Sequence, residues 1–377
     1  MAIRSTPGAA DIEIERGIAV AEADAIVMWR SEPIPFVQLP DRIAALSSRS
    51  ERAALSGAWR EALDALSPRY EERLRRWLAA GEPLELAAAE GPEPRALVTS
   101  LERFVLHSET PYFAALRRYL ALIDIEQGDA TIADLWHVAR GEAFAHWFED
   151  RAVARATGAV GPGAAVTGDA SAWSVAEQAL AGDAGEGTVA RAVAAARASL
   201  VGSPEWLADE LQVVAAEVLA VTDLLAFVRL WRLRHEIARL HYELRLYEDP
   251  EAIAVNRAYY SGIVSHMIGV AAPEEAWLHD LAAPFASVRS VEASVLGAQL
   301  VEVLESRFGV SWWRDGASAA FIDDFAQAGS VAHALAQLGY DALDWRPVLR
   351  QIRTRLIGEM SGYGGPNITT RAGTRKV

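Results

Sequence analysis

Residues 224–247 read LLAFVRLWRLRHEIARLHYELRLY, and this stretch decides the fold. Leu230, Leu233, Ile237, Leu240, Leu244 and Tyr247 recur at helical spacing and make one apolar stripe. Arg229, Arg232, Glu236, Arg239 and Glu243 fall beside it as a polar flank. Arg232 with Glu236 and Arg239 with Glu243 are i,i+4 pairs, each contributing about 0.2–0.5 kcal/mol. The stretch reads as a long core helix with a polar rim.

The same helix carries His235-Glu236-Ile237-Ala238-Arg239. A zinc peptidase helix needs HExxH, because two imidazoles four residues apart point at one metal while the glutamate serves as general base. Here Arg239 stands in the second histidine position, and a guanidinium has no lone pair to offer. His241 lies on another side of the helix. Zinc is therefore not expected on this stretch.

Outward from it, the chain reads as helices divided by Pro and Gly. Toward the N-terminus, residues 1–10 read as loose and residues 11–29 as a helix that Ser31-Glu-Pro-Ile-Pro35 breaks. Pro40-Asp41 and Ser67-Pro68 each look like a helix start. Helices are expected at 95–107 and 110–126, after a loop at 91–94. Residues 130–153 form a further helical stretch with Asp134, His137, Glu142, His146, Glu149 and Asp150. Residues 154–187 are rich in Gly and Ala and read as a connection. No GxGxxG occurs, and GAVGPG follows no strand, so a phosphate loop is not expected. Ser203-Pro204 has the form of an N-cap, opening a helix toward residue 221. After Asp249-Pro250, helices are expected at 251–268, 273–282, 286–307, 317–329, 331–338 and 345–357. Gly309 and Gly339 act as stops, and the Gly-rich residues 358–377 read as a flexible tail. No alternating strand pattern stands out, so the fold class is all-α. Four segments follow: an N-terminal helical region 1–153, a connection 154–202, a C-terminal helical region 203–357 and the tail.

Composition narrows the chemistry. The 377 residues contain no Cys, which excludes disulfides and thiolate ligands or nucleophiles. Lys376 is the only lysine, so a Schiff base or P-loop lysine is excluded from the folded body. A net charge of −15 argues against nucleic acid as a partner. No apolar run is long enough to span a bilayer, and the first residues lack a signal-peptide pattern, so a soluble, cytoplasmic protein is expected. Trp206, Trp231, Trp277, Trp312, Trp313 and Trp345 read as packing residues rather than a ligand stack. Glu-x-x-His, which a di-metal helical bundle would want, occurs nowhere.

One series of residues is suggestive in its order. Residues 227–247 are followed by Ala258-Tyr-Tyr260, Pro273-Glu-Glu-Ala-Trp-Leu278, His279-Asp280, Pro284-Phe285, residues 296–304, Arg307-Phe-Gly309, Trp312-Trp313 and Gly339. This series resembles the C-terminal part of the thimet-oligopeptidase/oligopeptidase-F-like helical zinc peptidases, over residues 203–357. The resemblance implies an elongated, multi-helix, two-lobed fold around a channel. It also marks what is missing. The family's zinc helix falls where this chain has its Gly/Ala-rich stretch, which contains no His. The family's oxyanion tyrosines fall near Phe285-Ala-Ser-Val-Arg-Ser-Val291, which contains no Tyr. No family catalytic residue carries over and no cofactor is expected.

The expected function is that of a catalytically inactive, metallopeptidase-like protein. It would bind a peptide, a small ligand or a protein partner, an active paralogue among them, or serve as an assembly subunit. Arg234, His235, Arg239 and Tyr242 are the candidate binding residues. The alternative is a metal-dependent hydrolase with a non-standard site around Asp134, His137, Glu142 and His146, the metal held by His137, Glu142 and His146. A purely structural helical scaffold is the third reading.

Overall fold

A computed structural model describes residues 9–79, 94–148, 173–182, 187–281 and 283–356. The chain is all-α apart from one short hairpin. Helix α1 (Ala9–Asp24) leads into antiparallel strands β1 (Ile26–Trp29) and β2 (Glu32–Pro35). Helices α2 (Leu39–Ala45), α3 (Arg49–Ala79), α4 (Pro94–Ala121) and α5 (Ile132–Ala139) follow. Then come α6 (Ser174–Ala181), α7 (Thr188–Ala198), α8 (Pro204–Asp209) and α9 (Ala215–Glu248). The chain continues through α10 (Ile253–Ile268), α11 (Ala286–Phe308), α12 (Gly316–Ala326), α13 (Val331–Leu338) and α14 (Arg346–Arg353). No helix among the described residues is long and apolar enough to cross a membrane. Of the start expected to be loose, residues 1–8 lie outside the described residues, as do 154–172 and 183–186 of the connection and the tail 358–377, whereas residues 9 and 10 belong to α1.

Helix α9 is the axis of the fold, but it is buried on more than one stripe. Every residue from Val221 to Val228 is buried, which only an enclosed helix allows. It packs on α4, α10, α11 and α14. The polar rim is correspondingly reassigned. Arg232 pairs with Glu177 of α6 at 3.0 Å, not with Glu236. Arg239 pairs with Glu236 at 3.1 Å, not with Glu243. Glu243 is fully buried and belongs to the core.

Two expected helix boundaries, at Ser67-Pro68 and between residues 107 and 110, lie inside continuous helices. Pro68 sits within α3 and Pro111 within α4. An interior proline costs about 3 kcal/mol. In α3 the buried stripe Leu55, Trp59, Leu63, Leu66, Tyr70, Leu74 runs straight past Pro68. Each of those large side chains gains about 1.5–3 kcal/mol on burial, so the packing outweighs the break. The hairpin has a different origin. Arg30 and Ser31 take φ of 50° and 69°, two consecutive left-handed residues as a two-residue hairpin turn requires. The residue types there are not the usual Asn-Gly, and β2 carries two prolines, so the alternation is hidden.

The caps behave as expected. Ser203 Oγ accepts from the Trp206 amide at 3.3 Å, but α8 is short and a new helix begins at Ala215. Gly309 and Gly339 end α11 and α13 with φ of 82° and 79°. Gly297 lets α11 and α7 meet closely: a Cβ there would lie 2.7 Å from the Ala192 carbonyl oxygen.

Asp134 is occupied by structure. Its Oδ1 accepts from Arg52 Nε and Nη2 at 3.2 and 3.0 Å, and its Oδ2 accepts from the Thr131 amide and hydroxyl at 3.1 and 3.0 Å. Both residues of the ion pair are 2% exposed. Asp134→Asn keeps one acceptor but turns donors toward donors. It is expected to lower unfolding free energy by about 1–3 kcal/mol, read by urea denaturation.

Candidate functional site

A cavity of about 320 Å³ lies where α2, α3, α5, α9, α10 and the 273–280 segment converge. Its size is at the small end of ligand pockets, which run from about 300 to 1,000 Å³. Trp59, Trp136 and Trp231 give it aromatic walls, with Trp59 and Trp136 edge-to-face at 5.1 Å. Helix α9 contributes Trp231, Arg232, His235 and Glu236, which three- and four-residue spacing puts on one side.

The polar floor is a charge network centred on Asp280. His235 Nε2 lies 3.1 Å from Asp280 Oδ2, Tyr260 donates its hydroxyl to the same oxygen at 2.9 Å, and Arg239 Nε is 3.9 Å away. Burial alone would raise the Asp280 pKa. The charges of His235 and Arg239, with the hydrogen bonds from His235 and Tyr260, hold it far below the usual carboxylate range. Burial works against protonated His235, but the charge and hydrogen bond of Asp280 win and raise its pKa. The environment of His235 thus favours its protonated, donating form. Its neighbour His279 goes the other way: burial lowers its pKa despite the Asp280 charge, and its ring sits edge-on to Phe36 and Tyr70 at 5.5 and 5.7 Å. Burial, then the Asp280 charge, raises the Tyr260 phenol well above its ordinary value.

Three buried polar atoms on the cavity's side chains have no hydrogen-bond partner among the described residues: the indole nitrogens of Trp59 and Trp231 and Oε2 of Glu236. Buried polar groups ordinarily find partners, so these stand out. No Ser, Thr, Cys or Lys lines the cavity among the described residues. The nucleophilic groups on its walls are carboxylates, imidazoles and a phenol rather than an aliphatic hydroxyl, thiol or amine.

Of the four candidate binding residues, only His235 lines this cavity. Arg234 is one residue and about 100° round the helix, on the opposite packing surface. It donates to the carbonyls of Met267 and Val105 and to Ser108 Oγ at 2.7, 3.1 and 2.9 Å, and lies over the Tyr112 ring at 4.9 Å. It fastens α9 to α4 and α10. Tyr242 is fully buried and edge-on to Tyr260 at 5.1 Å. Arg239 lies behind the cavity and supports its floor.

The alternative metal residues have separate partners. His137 Nδ1 is 2.7 Å from the Ala44 carbonyl oxygen, and Glu142 pairs with Arg140 at 3.0 Å. His146 Nε2 is 3.7 Å from Glu217 Oε2. Their stretch is not one helix: Gly141 turns left-handed, with φ of 64°, and a 3₁₀ segment Glu142–Trp147 follows. No group of three His, Cys, Asp or Glu side chains among the described residues is placed to hold a metal ion.

Trp59, Trp136, Tyr260 and Asp280 come from residues far apart in sequence. Trp231 does pack, but as a cavity wall, whereas Trp206, Trp277 and Trp312 are core residues. The chain matches no protein-family model, no curated protein and no solved structure.

Proposed function

We propose that this chain is a non-catalytic, peptidase-like protein that binds the amino-terminal end of a peptide in the tryptophan-walled cavity. The observation that carries this is a set of unpartnered polar atoms on side chains that line one cavity: two indole N–H donors and one carboxylate oxygen. A peptide N-terminus offers the complement, an ammonium for Glu236 and carbonyl oxygens for the indoles. Aromatic faces add a further preference for a cation. The resemblance of residues 203–357 to helical zinc peptidases points to the same class of ligand, a peptide. The Asp280 charge, which favours the protonated form of His235, and walls without Ser, Thr, Cys or Lys support holding over cutting.

The test is calorimetric titration with an unblocked tripeptide and with its N-acetylated form. The free amine is expected to bind and the acetylated form to bind far more weakly. A charge-assisted hydrogen bond is worth about 1.5–3 kcal/mol, so Glu236→Gln is expected to weaken binding by about 10- to 150-fold. Trp231→Ala is expected to weaken it as well. Equal affinity for both peptides, or in both variants, removes the reading. Chelator-sensitive cleavage of the peptide by the pure protein would replace it with a metal-dependent one.

A further inference from the structure

A second cavity, of about 370 Å³, opens beyond the Arg232–Glu236 row of α9. It exists because its walls are small: Ala194, Ala195 and Ala198 on α7, Gly202, and Ala226 on α9. Two guanidinium groups enter this space, Arg229 from α9 and Arg355 from just past α14. Arg229 Nη1 donates to Gln351 Oε1 at 3.1 Å, which is a neutral acceptor. Arg355 makes no hydrogen bond or ion pair with the described residues, and Glu305 and Glu205 act on it only from beyond ion-pair distance. Its Nη1 lies over Gly202, 3.2 Å from where a Cβ would stand.

The other charges in the cavity wall are committed elsewhere. Glu177 pairs with Arg232 at 3.0 Å, and Glu236 Oε1 accepts from Arg239 at 3.1 Å. Arg229 and Arg355 therefore share a partly desolvated space in which, among the described residues, neither has a carboxylate at ion-pair distance. Their titration agrees: burial, then the like charge of Arg355, brings Arg229 down to about 10, and burial lowers Arg355. Two cations brought together in low dielectric are unfavourable unless an anion joins them. Paired guanidiniums also match the planar, multidentate geometry of phosphate and carboxylate oxygens.

We propose that this second cavity is an organic-anion site, in which Arg229 and Arg355 hold a phosphate-ester or carboxylate group and the alanine walls of α7 take the ligand's apolar part. The site is separate from the peptide cavity and does not depend on that reading.

The experiment measures thermal unfolding and calorimetric binding with inorganic phosphate, phenyl phosphate and benzoate, each against sodium chloride at equal ionic strength. At least one of the two aromatic anions is expected to raise Tm and to bind more tightly than inorganic phosphate, because only it uses the apolar walls. Phenyl phosphate alone would assign a phosphate ester, and benzoate alone a carboxylate. Arg229→Gln and Arg355→Gln are each expected to weaken binding at least tenfold. Without ligand, Arg355→Gln is expected to melt at or above the wild-type temperature, since it relieves repulsion, and this shows that the variant folds. Trp231→Ala, which touches the first cavity only, is expected to leave anion binding unchanged. The proposal fails if neither aromatic anion binds, or if binding persists in the Arg229→Gln/Arg355→Gln double variant.

Discussion

Glu243→Ala is expected to lower the unfolding free energy by about 2–6 kcal/mol, about 1–3 kcal/mol for each of two buried donors left without an acceptor. Glu243 is fully buried on α9 and spans to the start of α11. It accepts from the Phe285 amide and, at 2.6 Å, from Ser287 Oγ. Phe285 is a left-handed residue with φ of 51°, a conformation that costs a non-glycine residue about 1–2 kcal/mol. The carboxylate thus holds a strained N-cap, and alanine would leave the strain, two orphaned donors and a void. Urea denaturation checks the size. Glu243→Gln keeps the volume and one acceptor and is expected to lose much less.

The same residue gives stability a pH dependence of definite sign. Burial raises Glu243 to about 7, against the lowering effect of Ser287, Arg239 and the Phe285 amide. The folded protein therefore holds this proton more tightly than the unfolded chain. Its contribution is full below the ordinary glutamate pKa of 4.5 and is lost as pH rises through about 7. Glu292 on α11, also raised to about 7 chiefly by burial, acts in the same direction. Glu243→Gln should flatten the fall in stability between about pH 5 and pH 8. An unchanged slope would show that the carboxylate is ionised throughout.

The second large effect is expected at Asp280. Asp280→Ala leaves His235 and the Arg239 guanidinium beneath the cavity without their shared counter-charge. Breaking a buried pair costs about 3–5 kcal/mol, and the lower end applies because His235 and Asp280 are 19% and 22% exposed. The sign of the pH dependence follows from the two shifts. His235 is raised, so its contribution is complete below the usual histidine pKa and is lost as pH climbs through the raised value. Asp280 is depressed, so its contribution is present above the usual aspartate pKa and is lost only in strong acid. An NMR titration of the His235 ring in wild type and Asp280→Ala checks this. The ring should titrate at lower pH in the variant, and an unmoved titration would separate the two residues electrostatically.

Much of the helical framework is legible in residue order alone. The Leu230–Leu240 periodicity, the Ser203 cap and the Gly309 and Gly339 stops all act through neighbours within one or two turns. What is not legible depends on distant contacts. Ser67-Pro68 and the gap between 107 and 110 look like boundaries until the stripes running past them are seen to be buried. Glu243 looks like a rim residue until α11 is laid across it. The candidate site is the extreme case. Trp59, Trp136, His235 and Asp280 come from four elements, and no local spacing connects them. The most motif-like fragment, His235-Glu236, does reach the cavity, but as a charge pair supported by Asp280 and Arg239.

Arg232 and Glu236 border both cavities, so the two spaces share one turn of α9 as a partition. A guest that attracts Glu236 to one side removes a negative charge from the other. If both proposed guests bind, their occupancies are thermodynamically linked, and reciprocally so: whatever factor the anion applied to peptide affinity, the peptide would apply to anion affinity.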